Sequence, residues 1–187
     1  MQAMYESNEG YYDLSNNAKS FLENFKQNIS SEQIHQLGED GLMSMTTDLL
    51  DSVMSDTSIQ KSIDDMYDLL SNRDNIPISD FESRGEEIIS AIQNGVGNSN
   101  IDVSEIFGFD SLTSDVDDMI SKVKENLESA FEGMNSDLIQ ANIDNFDFDD
   151  LSITQIQTLN KLLTQSGDNA FEVANVLSQF AAIDLLP

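Results

Sequence analysis

Apolar residues recur along most of the chain at spacings of three and four, which is the period of an amphipathic α-helix. No segment alternates convincingly with the period of a β-strand. The apolar stripes lie at 21–29, 42–54, 59–70, 81–92, 116–131, 138–143, 153–163 and 171–183. Short polar segments separate them, as in compact helical bundles. The pattern therefore predicts an all-α fold, a compact bundle of eight or nine short amphipathic helices.

The stretch at 75–96, NIPISDFESRGEEIISAIQNGV, contains the signals of one complete helix. Ser79 and Glu82 have the spacing of a capping box, in which each side chain binds a free backbone N–H at the helix start. Gly85 lies inside the helix, where the missing side chain often permits close packing by a neighbouring element. Gly97 follows the last apolar residue, as expected of a left-handed residue that ends a helix.

A similar sequence occurs at 28–45, and its opening occurs again at 100–107. The first two segments align without a gap and place Gly38 opposite Gly85, so the three are candidate internal repeats. The alternative is that capped amphipathic helices resemble one another in any helical protein. Caps are also predicted for other helices, at Asn16 or Asn17, Ser30 with Gln33, Thr57 with Gln60, Asp102 with Glu105, Ser152 with Gln155, and Asn169 with Glu172.

Length and composition fit one domain. A chain of 187 residues with 39% hydrophobic residues can bury a core without disulfides or metals. Residues 1–13 are predicted to be a flexible lead-in and 14–187 a single helical domain, with a sub-boundary near 108–114 as the alternative.

The sequence has no apolar run of membrane-spanning length and no signal peptide. The protein is therefore expected inside the cell, or as a piece of a longer chain with its signal elsewhere.

Charge is the most unusual property of the sequence, with 35 acidic residues against 8 basic ones and a formal net charge of −27. Such a chain repels phosphate backbones and anionic membranes. The predicted partners are cations, basic proteins or further copies of the chain, with no nucleic acid and no membrane. The acidic residues are spread along the helices, so a purely solvating surface explains them equally well.

No group of residues has the spacing of a catalytic or cofactor site. The absence of cysteine excludes disulfides and thiolate chemistry, and a single histidine, His35, cannot build a two-histidine metal site. Asp144, Asp147, Asp149 and Asp150 form the most acidic patch, but they do not match the glycine and glutamate positions of an EF-hand loop. They are weak cation-binding candidates, and the phenylalanines between them are expected to pack. The sequence predicts a non-enzymatic protein without a cofactor.

Two passages, AKSFLENFKQNISSEQIHQLGEDGLMSMTTDLLDSV at 18–53 and ESRGEEIISAIQNGVGNSNIDVS at 82–104, carry a family resemblance. Both resemble the helical globular domains of spider silk proteins (spidroins), especially the repeat units of wrapping and egg-case silks, and the first also resembles their N-terminal domains. Together the two passages cover about a third of the chain. The resemblance implies a stored, soluble helical globule that assembles into fibre outside the cell, with the signal peptide outside this chain. Those repeat units are nearly neutral and rich in Ala and Ser, and their N-terminal domains contain a tryptophan that is absent here. In the N-terminal domains of the family, protonation of carboxylates drives dimerisation. No acidic motif of this chain aligns closely enough with them for an individual pH-sensing residue to be transferred.

Two hypotheses of function follow. The first is a silk-type assembly domain that its charge keeps apart at neutral pH, and that self-associates as crowded carboxylates become protonated towards pH 5 or as cations are added. The second is an acidic decoy or adaptor, such as a DNA mimic, that binds a basic protein and would need rows of acidic residues on one face. A phage or bacterial structural protein is a third hypothesis.

Overall fold

The computed structural model describes residues 14–29, 31–131 and 143–166, together with Ala141 and Asn175. These residues form seven α-helices and two short 3-10 helices, at Arg73–Asn75 and Phe148–Asp150, without a strand, so the all-α prediction is confirmed. The α-helices are α1 (Asn16–Asn28), α2 (Ser31–Ser55), α3 (Thr57–Asn72), α4 (Ile78–Val96), α5 (Val103–Phe107), α6 (Phe109–Ala130) and α7 (Ile153–Ser166). The predicted lead-in at 1–13 and the predicted final helix from Asn169 lie outside the described residues.

The chain divides into two compact units. Unit 1 consists of Met1–Ser71 and Glu82–Ser111, and unit 2 of Asn72–Phe81 and Leu112–Pro187. Helices α4 and α6 each contribute residues to both units. The single helical domain over 14–187 and its alternative sub-boundary stay predictions.

The core of unit 1 contains aromatic rings from three helices. The Phe107 ring of α5 lies 5.0 Å from the Phe21 ring of α1 and 5.6 Å from the Tyr67 ring of α3, measured between centroids. Phe21 is fully buried, and so are Leu49 of α2 and Ile63 of α3, which belong to the predicted apolar stripes. Burial of these large side chains is the main stabilising contribution of the unit.

The core of unit 2 is formed by one face of α6 and one face of α7, with the second 3-10 helix contributing Phe148. Val123, Leu127 and Leu159 are among its most buried side chains. Polar contacts connect the same elements, since the Asn126 Nδ2 group donates to Asn160 Oδ1 at 2.9 Å. The predicted apolar stripes of both helices are thus the faces that become buried.

Two predicted caps are present with the expected geometry. The Ser152 Oγ accepts from the Gln155 N–H at 3.3 Å, and the Gln155 Oε1 accepts from the Ser152 N–H at 2.8 Å, which completes a capping box at the start of α7. The Asp102 carboxylate accepts from the Glu105 N–H at 3.1 Å at the start of α5. That short helix ends at Gly108, whose φ of 65° requires a residue that tolerates the left-handed region.

Two other helices start earlier than their sequence signals indicate. Ser15, and neither Asn16 nor Asn17, caps α1, because its Oγ accepts from the Ala18 N–H at 3.1 Å. Helix α6 begins at Phe109, seven residues before Val116, the first residue of the apolar stripe that predicts it. In each case an earlier residue provides the cap or the first turn that the apolar stripe alone does not indicate.

The starts of α3 and α4 also differ from the predicted capping boxes. The Asp56 carboxylate accepts from the Ser58 N–H at 2.7 Å, so Asp56 takes the position predicted for Thr57. Helix α4 begins at Ile78, which places Ser79 inside its first turn. The free Ile78 N–H is satisfied by the Leu151 carbonyl at 3.0 Å, a partner that is remote in sequence.

The glycines that align in the two longer candidate repeats have different conformations. Gly38 has a φ of 66° and a ψ of 179°, so it breaks α2 into two helical pieces. Gly85 is helical, and a Cβ atom built on it would lie 2.2 Å from the Phe109 ring. Gly85 therefore permits the close approach that the sequence predicts, whereas Gly38 marks a kink, and the internal repeat stays a prediction.

Candidate functional surface

The acidic side chains lie on the surface of the described residues. Each Asp or Glu side chain that the structure describes is exposed or half-buried, and none belongs to either core. Solvated carboxylates keep their charge without a compensating partner, whereas buried ones would need one. The negative charge of the described residues is therefore carried on the molecular surface.

Basic side chains neutralise this surface locally. The observed ion pairs each join residues at most four positions apart: Lys26 with Glu23 at 2.8 Å, Lys61 with Asp65, and Arg73 with Asp74 at 3.6 Å. All of these side chains are 41–75% exposed. Exposed pairs of this kind contribute roughly 0–1 kcal/mol each, so they leave the excess of negative charge in place.

The acidic patch at 144–150 is organised around two phenylalanine rings. Phe148 is buried, and its ring meets the half-buried Phe146 ring edge-on at 4.5 Å between centroids, which confirms the predicted packing role. The Asp147 carboxylate accepts from the Asp149 N–H at 3.1 Å and so caps the 3-10 helix. The Lys124 Nζ atom lies 5.3 Å from the Phe148 ring centroid.

These contacts give the patch a structural role. Asp144, Asp147, Asp149 and Asp150 are all exposed. Within the described part of the chain, no three His, Cys, Asp or Glu side chains are grouped so that they could hold a metal ion. Weak cation binding by these four residues stays a prediction.

An open cleft of about 350 Å³ lies in unit 1, between α3 and α4. Its lining includes the carboxylates of Asp65, Asp68 and Glu87, together with Arg84. Asp65 is already paired with Lys61. The sequence analysis missed this cleft, because residues of two helices come together only in the folded unit.

His35 and Met43 lie on the exposed side of α2. His35 is exposed, and Met43, at 73% exposure, is a large apolar side chain that no core covers. Met45, two residues further on, is 1% exposed and belongs to the core of unit 1. The methionines of this helix are thus divided between core and surface according to helical phase.

One half-buried carboxylate connects two helices of unit 1. Asp64 Oδ1 accepts from the Ser15 hydroxyl at 3.1 Å and from the Asn17 side-chain amide at 2.9 Å. Nearby on α3, burial raises the pKa of the Tyr67 hydroxyl above its usual value of 10.0. The Asn24 side-chain amide lies 3.4 Å from that hydroxyl oxygen and donates to it. These polar contacts fix α1 against α3 from its capped end onward.

Helix α7 differs from the rest of the surface because it contains no acidic residue. Residues 151–167 form the longest segment of the chain without Asp or Glu, and Lys161 gives the segment a charge of +1. Thr154, Gln157, Thr158 and Lys161 are exposed. The acidic surface of the protein is therefore interrupted by one uncharged to weakly basic helix face, which we call the α7 face (Thr154, Gln157, Thr158, Lys161, Thr164 and Gln165).

No protein-family description, no curated protein and no solved structure matches this chain. Among the described residues, none of the helices is both long enough and apolar enough to span a membrane.

Proposed function

We propose that the protein is a non-enzymatic assembly domain of silk type, an acidic helical globule that self-associates when its charge is neutralised. The observation that carries this proposal is the surface position of the acidic side chains that the structure describes, combined with the excess of 35 acidic over 8 basic residues. A molecule of this kind repels copies of itself. Protons or cations that reduce the charge reduce the repulsion, so association responds to pH and salt.

Carboxylates that lie one helical turn apart support this dependence on charge. Asp115 and Asp118 of α6 are three positions apart, and Asp64 and Asp68 of α3 are four apart. Like charges at these spacings repel across the helix surface and destabilise it slightly. Neutralisation therefore relieves repulsion within each copy as well as between copies.

We also propose the details of the fold that go beyond its all-α class. A bundle of eight or nine helices with internal repeats, and the likeness to spidroin domains at 18–53 and 82–104, are consistent with an all-α chain. They extend the proposal from a generic acidic helical protein to a fibre-forming one, stored in soluble form and assembled outside the cell.

Two triple variants at the same three positions, one that removes charge and one that keeps it, test the proposal. Asp115, Asp117 and Asp118 are exposed on α6, and their replacement by Asn changes the net charge from −27 to about −24. Because repulsion scales with the product of the two charges, it falls by about a fifth. We expect light scattering to show association at a higher pH than in wild type. The Asp-to-Glu triple variant keeps the charge and should behave as wild type. Scattering that stays flat from neutral pH to about pH 5, with and without salt, would contradict the proposal.

The second candidate function is an acidic decoy or adaptor for a basic protein. The cleft lined by Asp65, Asp68, Arg84 and Glu87 favours it, because three carboxylates meet there around a volume of about 350 Å³ that could admit a basic side chain. An arginine-rich peptide with a fluorescent label should then bind wild type, and the Asp68→Asn, Glu87→Gln double variant should bind it less tightly. The Asp117→Asn, Asp118→Asn double variant loses the same charge outside the cleft and should bind the peptide as wild type does. An equal loss of affinity in both double variants would reject a role for the cleft.

A further inference from the structure

The α7 face combines two properties that make it suitable for contact with another macromolecule. It has no negative charge, and Lys161 makes it weakly positive. The rest of the chain carries all 35 acidic residues. When two copies approach each other, electrostatic repulsion is lowest where this face meets the acidic surface of the other copy.

The three threonine hydroxyls of the α7 face donate hydrogen bonds within the molecule. The hydroxyl of Thr154 donates to the Asp74 carbonyl at 2.6 Å, and those of Thr158 and Thr164 donate to the carbonyls one turn earlier in α7, each at 2.8 Å. The Asn160 side-chain oxygen accepts from Asn126. Groups that keep their hydrogen bonds when water leaves lower the free-energy cost of burying the face.

We propose that the α7 face is the surface through which one copy docks onto the acidic surface of a second copy. This inference rests on the proposed function and names the contact that assembly uses. The two surfaces in contact are different parts of the molecule, so the contact is heterologous. A heterologous contact that does not close into a ring adds further copies and produces a filament.

The size of the face sets the strength of the contact. A helix of 14 residues is about 21 Å long at 1.5 Å per residue. One such face is smaller than the roughly 800 Å² per partner of a stable complex. The contact is therefore weak in isolation, and association becomes visible at high protein concentration, as in a stored precursor of a fibre.

Two lysine reversals with the same net charge test the proposal. Lys161→Glu places a negative charge on the α7 face, whereas Lys122→Glu places one at an exposed position of α6. At the highest pH at which wild type still associates, where the partner's carboxylates keep most of their charge, sedimentation equilibrium should give a dissociation constant up to about fivefold higher for Lys161→Glu. Lys122→Glu and the conservative Lys161→Arg should stay within about twofold of wild type. Circular dichroism confirms that each variant folds.

Cross-linking gives an independent readout. A carbodiimide joins a lysine amine to a carboxylate with loss of water, and mixing isotope-labelled with unlabelled protein identifies links between copies. We expect these links to be enriched at Lys161 over Lys122. Equal effects of the two reversals, or links spread evenly over the exposed lysines, would overturn the α7 face while leaving the proposed function standing. A wild type that stays monomeric under all conditions would overturn both.

Discussion

Replacement of Gly85 by Ala tests a close packing contact in unit 1. A Cβ atom at this position would lie 2.2 and 2.3 Å from two carbons of the Phe109 ring. The ring would have to retreat by roughly 1.2 Å to reach an ordinary contact distance of 3.4 Å. Phe109 is 4% exposed, so the ring is enclosed by neighbours that must move with it.

The net effect is a balance of two terms. Overpacking of a core costs about 1–3 kcal/mol, and the size of the required shift places Gly85→Ala near the upper value. Alanine gains about 1 kcal/mol over glycine in a helix interior. We therefore expect a loss of about 2 kcal/mol in the free energy of unfolding, which lowers the melting temperature by roughly 4–8 °C for a chain of this size.

A double-mutant cycle isolates the steric term. Phe109→Leu removes the ring, and in that background Gly85→Ala should cost little or should stabilise by up to about 1 kcal/mol. Thermal and urea unfolding, followed by circular dichroism, give the four free energies of the cycle. If Gly85→Ala stabilises the wild-type background, or costs the same in both backgrounds, the contact with Phe109 does not explain the need for glycine.

Two further predictions concern a cap and a half-buried hydroxyl. Ser152→Ala removes one half of the α7 capping box and should lower the free energy of unfolding in urea by about 1 kcal/mol. The control Ser90→Ala, at an exposed mid-helix position, should change it by less than about 0.5 kcal/mol. Equal losses in the two variants would reject a stabilising role for the cap. Burial raises the pKa of Tyr67, so the folded state favours the neutral hydroxyl. The resulting contribution to the free energy of unfolding is complete below about pH 10, and it is lost as pH rises through the raised pKa of the folded state. Wild type should therefore lose more stability than Tyr67→Phe in urea unfolding at increasingly alkaline pH, and parallel losses would show that the hydroxyl is not the cause.

Local signals in the sequence predicted local structure well. The Ser152 and Gln155 capping box depends on two residues three positions apart, and it is present as expected. The cap at Asp102 is present for the same reason. The apolar stripes identify the buried faces, because helical phase and hydrophobicity together decide which side of a helix can face a core.

Features that depend on remote residues could not be obtained in this way. The sequence indicates that Gly85 permits close packing, but Phe109 as its partner follows from the packing of unit 1. The start of α4 moves to Ile78 because the Leu151 carbonyl supplies a hydrogen bond from 73 residues away. Asp56 rather than Thr57 caps α3, and Gln60, the predicted partner of Thr57, instead donates to the Val53 carbonyl of α2 at 2.8 Å.

The α7 face, too, was predictable from the sequence only in part. The acid-free segment at 151–167 can be read directly from the sequence. Its significance depends on which of its residues are exposed and on where the hydroxyls of Thr154, Thr158 and Thr164 donate their hydrogen bonds. The cleft between α3 and α4 has no signal in the sequence at all, because its lining comes from two helices.

Sedimentation velocity of the wild-type protein, from neutral pH to about pH 5 at low and at high salt, tests the central claim most directly. If surface charge keeps the copies apart, the protein sediments as a monomer at neutral pH and low salt. It should form dimers or larger species as acid or salt reduces the repulsion. A monomer under every condition would contradict the account, and would direct attention to a basic partner for the acidic cleft.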